Sequence, residues 1–249
     1  MSEIDKKIKE WIEGPEEKEI IPPALPYEEK LVAFIDILGV TDKVEEGGDD
    51  ALQIVTIMKQ VRTYVVTECN TLVKEERLNS LQIGDGFVIV AKPDCINEIC
   101  KILSVVQWQV LIDCQMLLRG ALTAGKIAVG ENEEYFIGPA IIEVLALERH
   151  NAIFPRIIYQ NKKIAKYTKK RDFESKYIVE DQDKIKYIDY IKYNLDNERL
   201  KVEELKQLLT KQEVIKNLKE KYETLMCENK RAAQKYGWLI SKFAIHGIR

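Results

Sequence analysis

The stretch Phe34-Ile35-Asp36-Ile37-Leu38-Gly39 sets one carboxylate inside an otherwise apolar run that ends at a glycine. A short apolar run of this kind is typical of a buried strand. A second stretch, Ile83-Gly84-Asp85-Gly86, joins two runs rich in β-forming residues, Leu78 to Ile83 and Phe87 to Ala91. Two such runs around Gly-Asp-Gly predict a hairpin with Asp85 in its turn.

Helices and further strands are predicted around this hairpin. Apolar residues recur at helical spacing between the first strand and the hairpin, and a second helix is predicted from Lys92 to about Leu118. Gly120 to Val129 has the small and β-branched residues of a strand, and a short hairpin leads from it to Tyr135-Phe136-Ile137. Gly138-Pro139 opens a third helix, because proline is favoured in a first turn, and Phe154 to Tyr159 forms one more strand.

The element order β-α-β-β-α-β predicts an α+β fold with a ferredoxin-like core, an antiparallel sheet and both long helices on one face. Three regions are expected. Residues 1–30 form an N-terminal arm with a charged helix and a Pro-rich connector, and residues 31–160 form the core. Residues 161–249 form a helical C-terminal region, rich in Lys, Glu and Tyr, that Trp238 packs onto the core.

Composition excludes several classes of protein. The 249 residues carry a formal net charge of -3, which does not favour sequence-independent nucleic-acid binding. No apolar run reaches membrane-spanning length and no signal peptide is present, so we expect a cytoplasmic protein with no membrane partner. Two histidines without suitable spacing argue against zinc, and five scattered cysteines without a CxxC pair favour reduced thiols.

Asp36 and Asp85 are the candidate metal ligands. The first strand and the central hairpin are neighbours in this fold, so the two carboxylates are expected to converge. A carboxylate in an apolar strand is costly unless it is paired or binds a metal. Two Mg²⁺ or Mn²⁺ ions, about 3.5–4 Å apart, would satisfy both carboxylates and a triphosphate. Gly39 and Gly84 would let phosphates approach the backbone.

The alternative interpretation gives each aspartate a local role. Asp36 would cap a helix that begins after Gly39, and Asp85 would be an ordinary turn residue. A separate Gly47-Gly48-Asp49-Asp50 resembles the Gly-Gly-Asp-Asp of palm polymerases, but a polar segment precedes it and a helix follows. It is interpreted as a loop in which Asp49 or Asp50 is an N-cap.

With these motifs placed, the core resembles the class III nucleotide cyclase domain. That family carries Phe-x-Asp-Ile-x-Gly-Phe on its first strand and Lys-x-x-Gly-Asp at its hairpin. Here these are Phe34-Ile35-Asp36-Ile37-Leu38-Gly39-Val40 and Leu81-Gln82-Ile83-Gly84-Asp85. The resemblance runs from about Leu31 to Tyr159 and includes Arg119-Gly120-Ala121-Leu122-Thr123-Ala124-Gly125 and Phe136-Ile137-Gly138-Pro139.

The resemblance implies roles for these positions. Asp36, Asp85 and the carbonyl of Ile37 would bind Mn²⁺ or Mg²⁺, and the amides of Gly39 and Val40 would bind the triphosphate. The ribose 3′-hydroxyl would attack the α-phosphate and release pyrophosphate. A homodimer is also implied, because family members place their sites at a dimer interface.

Three departures separate the chain from purine cyclases. Leu81 stands at the base-reading lysine, Ile142 and Ala146 stand at the transition-state Asn and Arg of the third helix, and Val40 replaces a Phe. The surviving segments are similar to a divergent bacterial subgroup, the pyrimidine cyclases of Pycsar antiphage systems. UTP or CTP would then be the substrate, and a cyclic-nucleotide-responsive effector would be an indirect partner.

Two arginines are candidates for supporting roles. Arg119 would supply the phosphate-binding cation that the third helix lacks, or would pair with Glu143 or Glu148. For Arg156, an ion pair with Glu148 is favoured over phosphate contact. The Lys-rich tail is interpreted as a solvated helical face because Glu and Asp are interleaved with its lysines.

Three functions follow from these residues. The first is a metal-dependent nucleotide cyclase that makes a cyclic mononucleotide signal. The second is a nucleotide sensor or scaffold that kept the fold and lost the chemistry. The third is a palm-type nucleotidyltransferase, against which the absence of a basic template groove weighs.

Overall fold

The structure is a computed structural model that describes residues 26–40, 44, 48–130, 135–166, 172–197 and 204–248. The predicted N-terminal helix and the prolines at 22 and 23 lie outside the described residues. The first strand is longer than expected and begins at Glu28, so residues 28–30 belong to the sheet.

The described strands form one mixed sheet, in the order β2-β3-β1-β4-β6-β8-β7, with β5 paired to β4. The β4–β6 pair is parallel and the other pairs are antiparallel. The order β2-β3-β1-β4 is the ferredoxin-like arrangement, which confirms the predicted fold class. These four strands are antiparallel as predicted, but the parallel β4–β6 pair makes the whole sheet mixed. The strands are β1 Glu28–Leu38, β2 Leu78–Ile83, β3 Gly86–Ala91, β4 Leu117–Val129, β5 Phe136–Ile137, β6 Ile157–Tyr159, β7 Ile178–Glu180 and β8 Lys186–Ile188.

Helices cover both faces of the sheet. Alternate residues of β1 point to opposite faces. The odd-numbered residues from Leu31 to Ile37 pack against α1 (Gly48–Lys74) and α2 (Ile96–Cys114). Val32 and Phe34 point to the other face and pack against α3 (Pro139–Asn151). The described helices are α1 Gly48–Lys74, α2 Ile96–Cys114, α3 Pro139–Asn151, α4 Asn161–Ile164, α5 Asp172–Tyr177, α6 Tyr190–Asp196, α7 Glu204–Glu228 and α8 Lys230–Ile245.

The second helix ends earlier than predicted. Gln115 adopts a left-handed conformation, with φ 52° and its amide bonded to the carbonyl of Val110, and this stops α2 at Cys114. The apolar residues that follow belong to β4, which begins at Leu117. Arg119 therefore lies within the strand instead of opening it.

Gly48, Asp49 and Asp50 lie in the first turn of α1. The predicted N-cap role of Asp49 or Asp50 is therefore wrong, and the stretch is not a polymerase-like hairpin. Acidic residues suit a first turn because the amino end of the helix dipole is positive.

The region from Asn161 onward is not only helical. Its strands β7 and β8 extend the sheet beyond β6. Helices α7 and α8 pack on α2 through a second apolar cluster that includes Trp108, Leu218 and Phe243. Trp238 stacks on Phe154 with the ring centroids 5.6 Å apart, which confirms that Trp238 packs this region onto the core.

Contrary to the expectation from the sequence, one segment among the described residues, Pro93–Cys114, is long and apolar enough to span a membrane by length and composition. In the structure, 67% of its apolar window is buried inside the protein. It is the central helix of the core, packed between α1, α6 and the sheet.

Candidate functional site

Asp36 lies between two strands that each bring a charged side chain to it. In the register of the sheet, Asp36 is opposite Gly86 on β3 and opposite Arg119 on β4. Asp85 immediately precedes Gly86, so both aspartates lie at the same end of the sheet. The Asp36 side chain is 17% exposed, and Asp85 is half-buried.

The hairpin that carries Asp85 has a two-residue turn, Gly84-Asp85, since Ile83 pairs directly with Gly86. Gly84 has φ +60° and Asp85 has a negative φ, the pattern of a type II′ turn, which favours glycine at its first central position. At Gly86 a Cβ would lie 2.6 Å from the Phe34 ring. Both glycines therefore let the Asp85 turn close against β1.

The carboxylate of Asp36 is electrostatically unfavourable where it lies. Burial raises its pKa above the usual value, and the nearby charge of Asp85 raises it further. The guanidinium of Arg119 and a hydrogen bond from the backbone amide of Ile37 lower the pKa of Asp36 without cancelling those effects. A further positive charge beside Asp36 would therefore stabilise its ionised form.

Arg119 contacts two carboxylates at once. Its Nη2 lies 3.2 Å and its Nε 3.3 Å from Oδ2 of Asp36, and both donate hydrogen bonds to that oxygen. The same Nε lies 2.6 Å from Oε1 of Glu148 on α3. Of the two partners expected for Arg119, Glu148 is the one present. Glu143 instead accepts a hydrogen bond from Lys163 at 3.1 Å.

The sequence predicted Glu148 only as an ion-pair partner of an arginine, whereas the structure places it beside the Asp36 site. Burial raises its pKa, as do the charges of Asp36 and Asp85, while Arg119 opposes them. Its contact with Arg119 is close but poorly directed, so among the described residues Oε1 has no hydrogen-bond partner. The rotation of α3 on the sheet decides that Glu148, and not Glu143, makes this contact.

The other predicted site residues lie on β1, just after β1, and on β2. Ile37 is buried in β1, and Gly39 follows the strand with φ +84° and open space above it. Val40 is buried. Leu81 is half-buried opposite Val88, whose side chain packs on the α3 face of the sheet.

The positions that match the family's transition-state residues face solvent. Ile142 is 72% exposed, and Ala146 is also exposed on α3. Neither side chain can donate a hydrogen bond.

The donor set suits a hard divalent cation. Mg²⁺ is commonly held by one or two carboxylates together with waters and substrate phosphates. Asp36 and Asp85 offer two carboxylates whose mutual repulsion a cation would relieve. Within the described parts of the chain no group of three or more His, Cys, Asp or Glu side chains forms a metal cluster. The residues therefore fit a hydrated divalent cation bound by two carboxylates, some of whose waters a substrate phosphate would replace.

Arg156 takes no part in this site. It is fully buried and pairs with Asp181, at 2.7 Å from Nη1, and with Asp183. The expected pair with Glu148 is wrong, because the β7–β8 turn brings two carboxylates to Arg156 first. Asp181 lies 25 residues away in sequence, and no local pattern predicts the contact.

Comparisons with known proteins support the fold. No protein-family model and no curated protein sequence matches the chain. Among solved structures it is similar to a class III adenylyl cyclase-like ATP-binding protein from Pseudomonas aeruginosa, with TM-score 0.50 and 14% identity over 76% of this chain and 48% of that one. It is also similar to the monomeric guanylyl cyclase domain of RhoGC from Blastocladiella emersonii, with TM-score 0.48 and 16% identity over 65% and 94%.

A bacterial light-regulated adenylyl cyclase matches at TM-score 0.46 and 13% identity, over 59% of this chain. The chain spans 46% of the length of that protein. The match to the Pseudomonas aeruginosa protein, at 14% identity, establishes the fold alone, which is that of a class III adenylyl cyclase-like protein.

Proposed function

We propose that the protein is a metal-dependent nucleotide cyclase that converts a nucleoside triphosphate into a 3′,5′-cyclic mononucleotide and pyrophosphate. The observation that carries the proposal is the convergence of Asp36 and Asp85 at one end of a class III cyclase-like sheet. The local alternative, in which Asp36 caps a helix, is disfavoured because Asp36 lies inside β1 and its side chain contacts Arg119.

The chain's own residues would position the triphosphate. Asp36, Asp85 and the Ile37 carbonyl would hold Mn²⁺ or Mg²⁺. The open backbone at Gly39, with the adjoining amide of Val40, would receive the phosphates. Arg119 would add a positive charge that is present at any pH the protein meets.

The reaction needs no other reactant. The ribose 3′-oxygen forms a bond to the α-phosphorus, the bond from the α-phosphorus to the bridging oxygen breaks, and pyrophosphate leaves with the electron pair. The hydroxyl proton passes to solvent. The bound cations would lower the pKa of the 3′-hydroxyl and neutralise the leaving group.

Leu81 supports a substrate other than the usual purines. It places an apolar side chain where purine cyclases carry a base-reading lysine, which favours a pyrimidine, UTP or CTP. The cyclic product would act on a cyclic-nucleotide-responsive effector, as in antiphage signalling. The homodimer that the resemblance implies would meet through α3, whose Ile142 and Leu145 are exposed apolar residues.

The test is turnover of each of the four triphosphates with Mn²⁺, followed by pyrophosphate release and product mass. We expect a cyclic mononucleotide from at least one of them, lost in Asp85→Ala. Equal pyrophosphate release by wild type and Asp85→Ala, or products longer than one nucleotide, would reject the proposal.

A second candidate is a nucleotide-binding sensor without turnover. The observation that favours it is that Ile142 and Ala146 offer no donor at the positions where the family stabilises the transition state. Tight triphosphate binding in calorimetry, with no product from any of the four, would select it. Absence of binding would remove both functions.

A further inference from the structure

We infer that Arg119 is a mobile counter-cation that pairs with Asp36 in the metal-free protein, and that Glu148 is the positioning residue that receives it when a divalent cation binds. The inference rests on the proposed metal site at Asp36 and Asp85. It assigns to Glu148 a role that neither the motifs nor the comparisons give it.

The first step is the position of the Arg119 guanidinium. Both of its donors to Asp36 converge on one oxygen, Oδ2. The two nitrogens lie 3.3 and 3.2 Å from Oδ2. A cation bound to Asp36 through the same oxygen would therefore be repelled by the nearby positive charge of Arg119. Arg119 and a metal ion therefore compete for Asp36.

The second step is that Arg119 has another carboxylate within reach. Its Nε already lies 2.6 Å from Oε1 of Glu148. The Glu148 side chain is only 8% exposed, and Oε1 lacks a directed hydrogen bond among the described residues. A buried carboxylate oxygen without a donor is costly. A small rotation of the guanidinium toward Glu148 would satisfy that oxygen and free Oδ2 of Asp36.

The third step is that Glu148 is well held. It lies in the third turn of α3, and that helix packs on β4 and β1 through Ala140 and Val144, both essentially inaccessible to solvent. The Arg119 guanidinium therefore has two positions available, one on Asp36 and one on Glu148, and both carboxylates are held by rigid elements. Glu148 holds the second position, so the affinity of Asp36 for metal depends on Glu148 through Arg119.

The test is a double-mutant cycle read by Mn²⁺ affinity in calorimetry, without nucleotide. Arg119→Met removes the competitor, and we expect Mn²⁺ to bind about tenfold more tightly. Glu148→Gln removes the receiving carboxylate, and we expect binding about tenfold weaker. In the double variant Glu148 has no arginine to receive, so its affinity should equal that of Arg119→Met.

Additivity distinguishes this device from simple electrostatics. If Glu148 only adds negative charge near the metal, the Glu148→Gln change weakens binding equally with or without Arg119, and the inference is overturned. Glu143→Gln is the matched control, because it removes a carboxylate from the same helix. That carboxylate pairs with Lys163 and not with Arg119. The Glu143→Gln change should leave the Mn²⁺ affinity unchanged.

A second measurement covers the case in which Glu148→Gln does not fold. Side-chain ¹⁵N NMR of arginine-labelled wild type should show the Arg119 Nε signal moving on addition of Mg²⁺. The signal is assigned by its loss in Arg119→Lys. A signal that stays in place while Asp36-dependent Mg²⁺ binding is saturated rejects the inference. If wild type and Asp36→Ala bind Mn²⁺ equally, the proposed metal site itself is wrong.

Discussion

The carboxylate of Asp36 and the guanidinium of Arg119 face each other across the β1–β4 pair, with Oδ2 and Nη2 3.2 Å apart. An ion pair of this kind normally lowers the pKa of the aspartate. Here the pKa of Asp36 is raised, because burial and the charge of Asp85 outweigh Arg119. The fold therefore keeps a surplus of negative charge at this end of the sheet, at a cost in stability.

Replacing Asp36 should stabilise the metal-free protein. A raised pKa in the folded state means that stability falls as pH rises above the ordinary value of 3.8, so at pH 7 the ionised group is unfavourable. We expect Asp36→Asn to have a higher melting temperature than wild type without metal and to lose the stabilisation by Mn²⁺. Asp94→Asn, which alters an exposed pair with Arg77, is the control. A melting temperature for Asp36→Asn below that of wild type would contradict this reasoning.

Gly120 should not tolerate a side chain. A Cβ there would overlap the carbonyl oxygen of Phe34 on β1, and backbone cannot move aside cheaply. Gly120→Ala should therefore lower the free energy of unfolding by at least about 2 kcal/mol, within the range for overpacking, and should weaken Mn²⁺ binding by displacing β1. At Gly125 on the same strand the nearest atom is the Ala140 Cβ at 3.3 Å. Urea unfolding should show a smaller loss for Gly125→Ala, and equal losses would refute the argument.

Asp181 should anchor the terminal helix. It accepts hydrogen bonds from Arg156, from Trp238 Nε1 at 2.7 Å and from Lys242 at 2.8 Å. Asp181→Asn would leave buried cations poorly paired, at a cost of about 3–5 kcal/mol. Hydrogen exchange should show α8 opening more readily than in wild type. The exposed Glu180–Lys184 pair supplies the control, since Lys184→Met should change stability by less than about 0.5 kcal/mol.

The same aspartate predicts a pH dependence. Burial opposes ionisation, but hydrogen bonds from Lys242 and Trp238 outweigh it and lower the pKa of Asp181 to about 2. A depressed folded-state pKa contributes stability that is present above the ordinary value of 3.8 and is lost as pH falls toward 2. The difference in unfolding free energy between wild type and Asp181→Asn should be constant from about pH 5 upward and should shrink below about pH 4. A difference independent of pH would rule out this assignment.

The proposed dimer should depend on α3. Ile142 is 72% exposed, so a charge there should not affect folding of one chain. Ile142→Glu is expected to produce a monomer in sedimentation, because an unpaired charge would be buried between the two copies. Ile245 on α8 is 71% exposed and gives a matched control, in which Ile245→Glu keeps the state of wild type. If both variants sediment as wild type does, α3 is not the interface.

Local sequence patterns were sufficient to predict the order of strands and helices in the core. The apolar run around Asp36 and the Gly84-Asp85 turn each specify one element, and short connections leave few ways to arrange them. The end of α2 was misplaced because Met116 to Leu118 are apolar and suit either a helix or a strand. Only the left-handed Gln115 separates the two.

Most contacts between distant segments could not be predicted, although Glu148 was one of the two partners expected for Arg119. The pairing of Arg119 with Asp36 follows from the register of β1 and β4, which no local pattern fixes. The approach of Glu148 depends on how α3 rotates over the sheet, and the partners of Arg156 depend on strands β7 and β8. Those strands are three residues long and have no strong sequence signal.

The buried Arg156 also limits how this chain can be shortened. Its side chain is fully buried in the structure, and both carboxylates that pair with it, Asp181 and Asp183, come after residue 160. The two carboxylates carry one negative charge more than Arg156 can balance. Lys242 balances it by pairing with Asp181. A chain cut after Gln160 would retain the motifs of the candidate site and leave a guanidinium without its counter-ions. The smallest stable fragment that carries the candidate site therefore extends at least through α8.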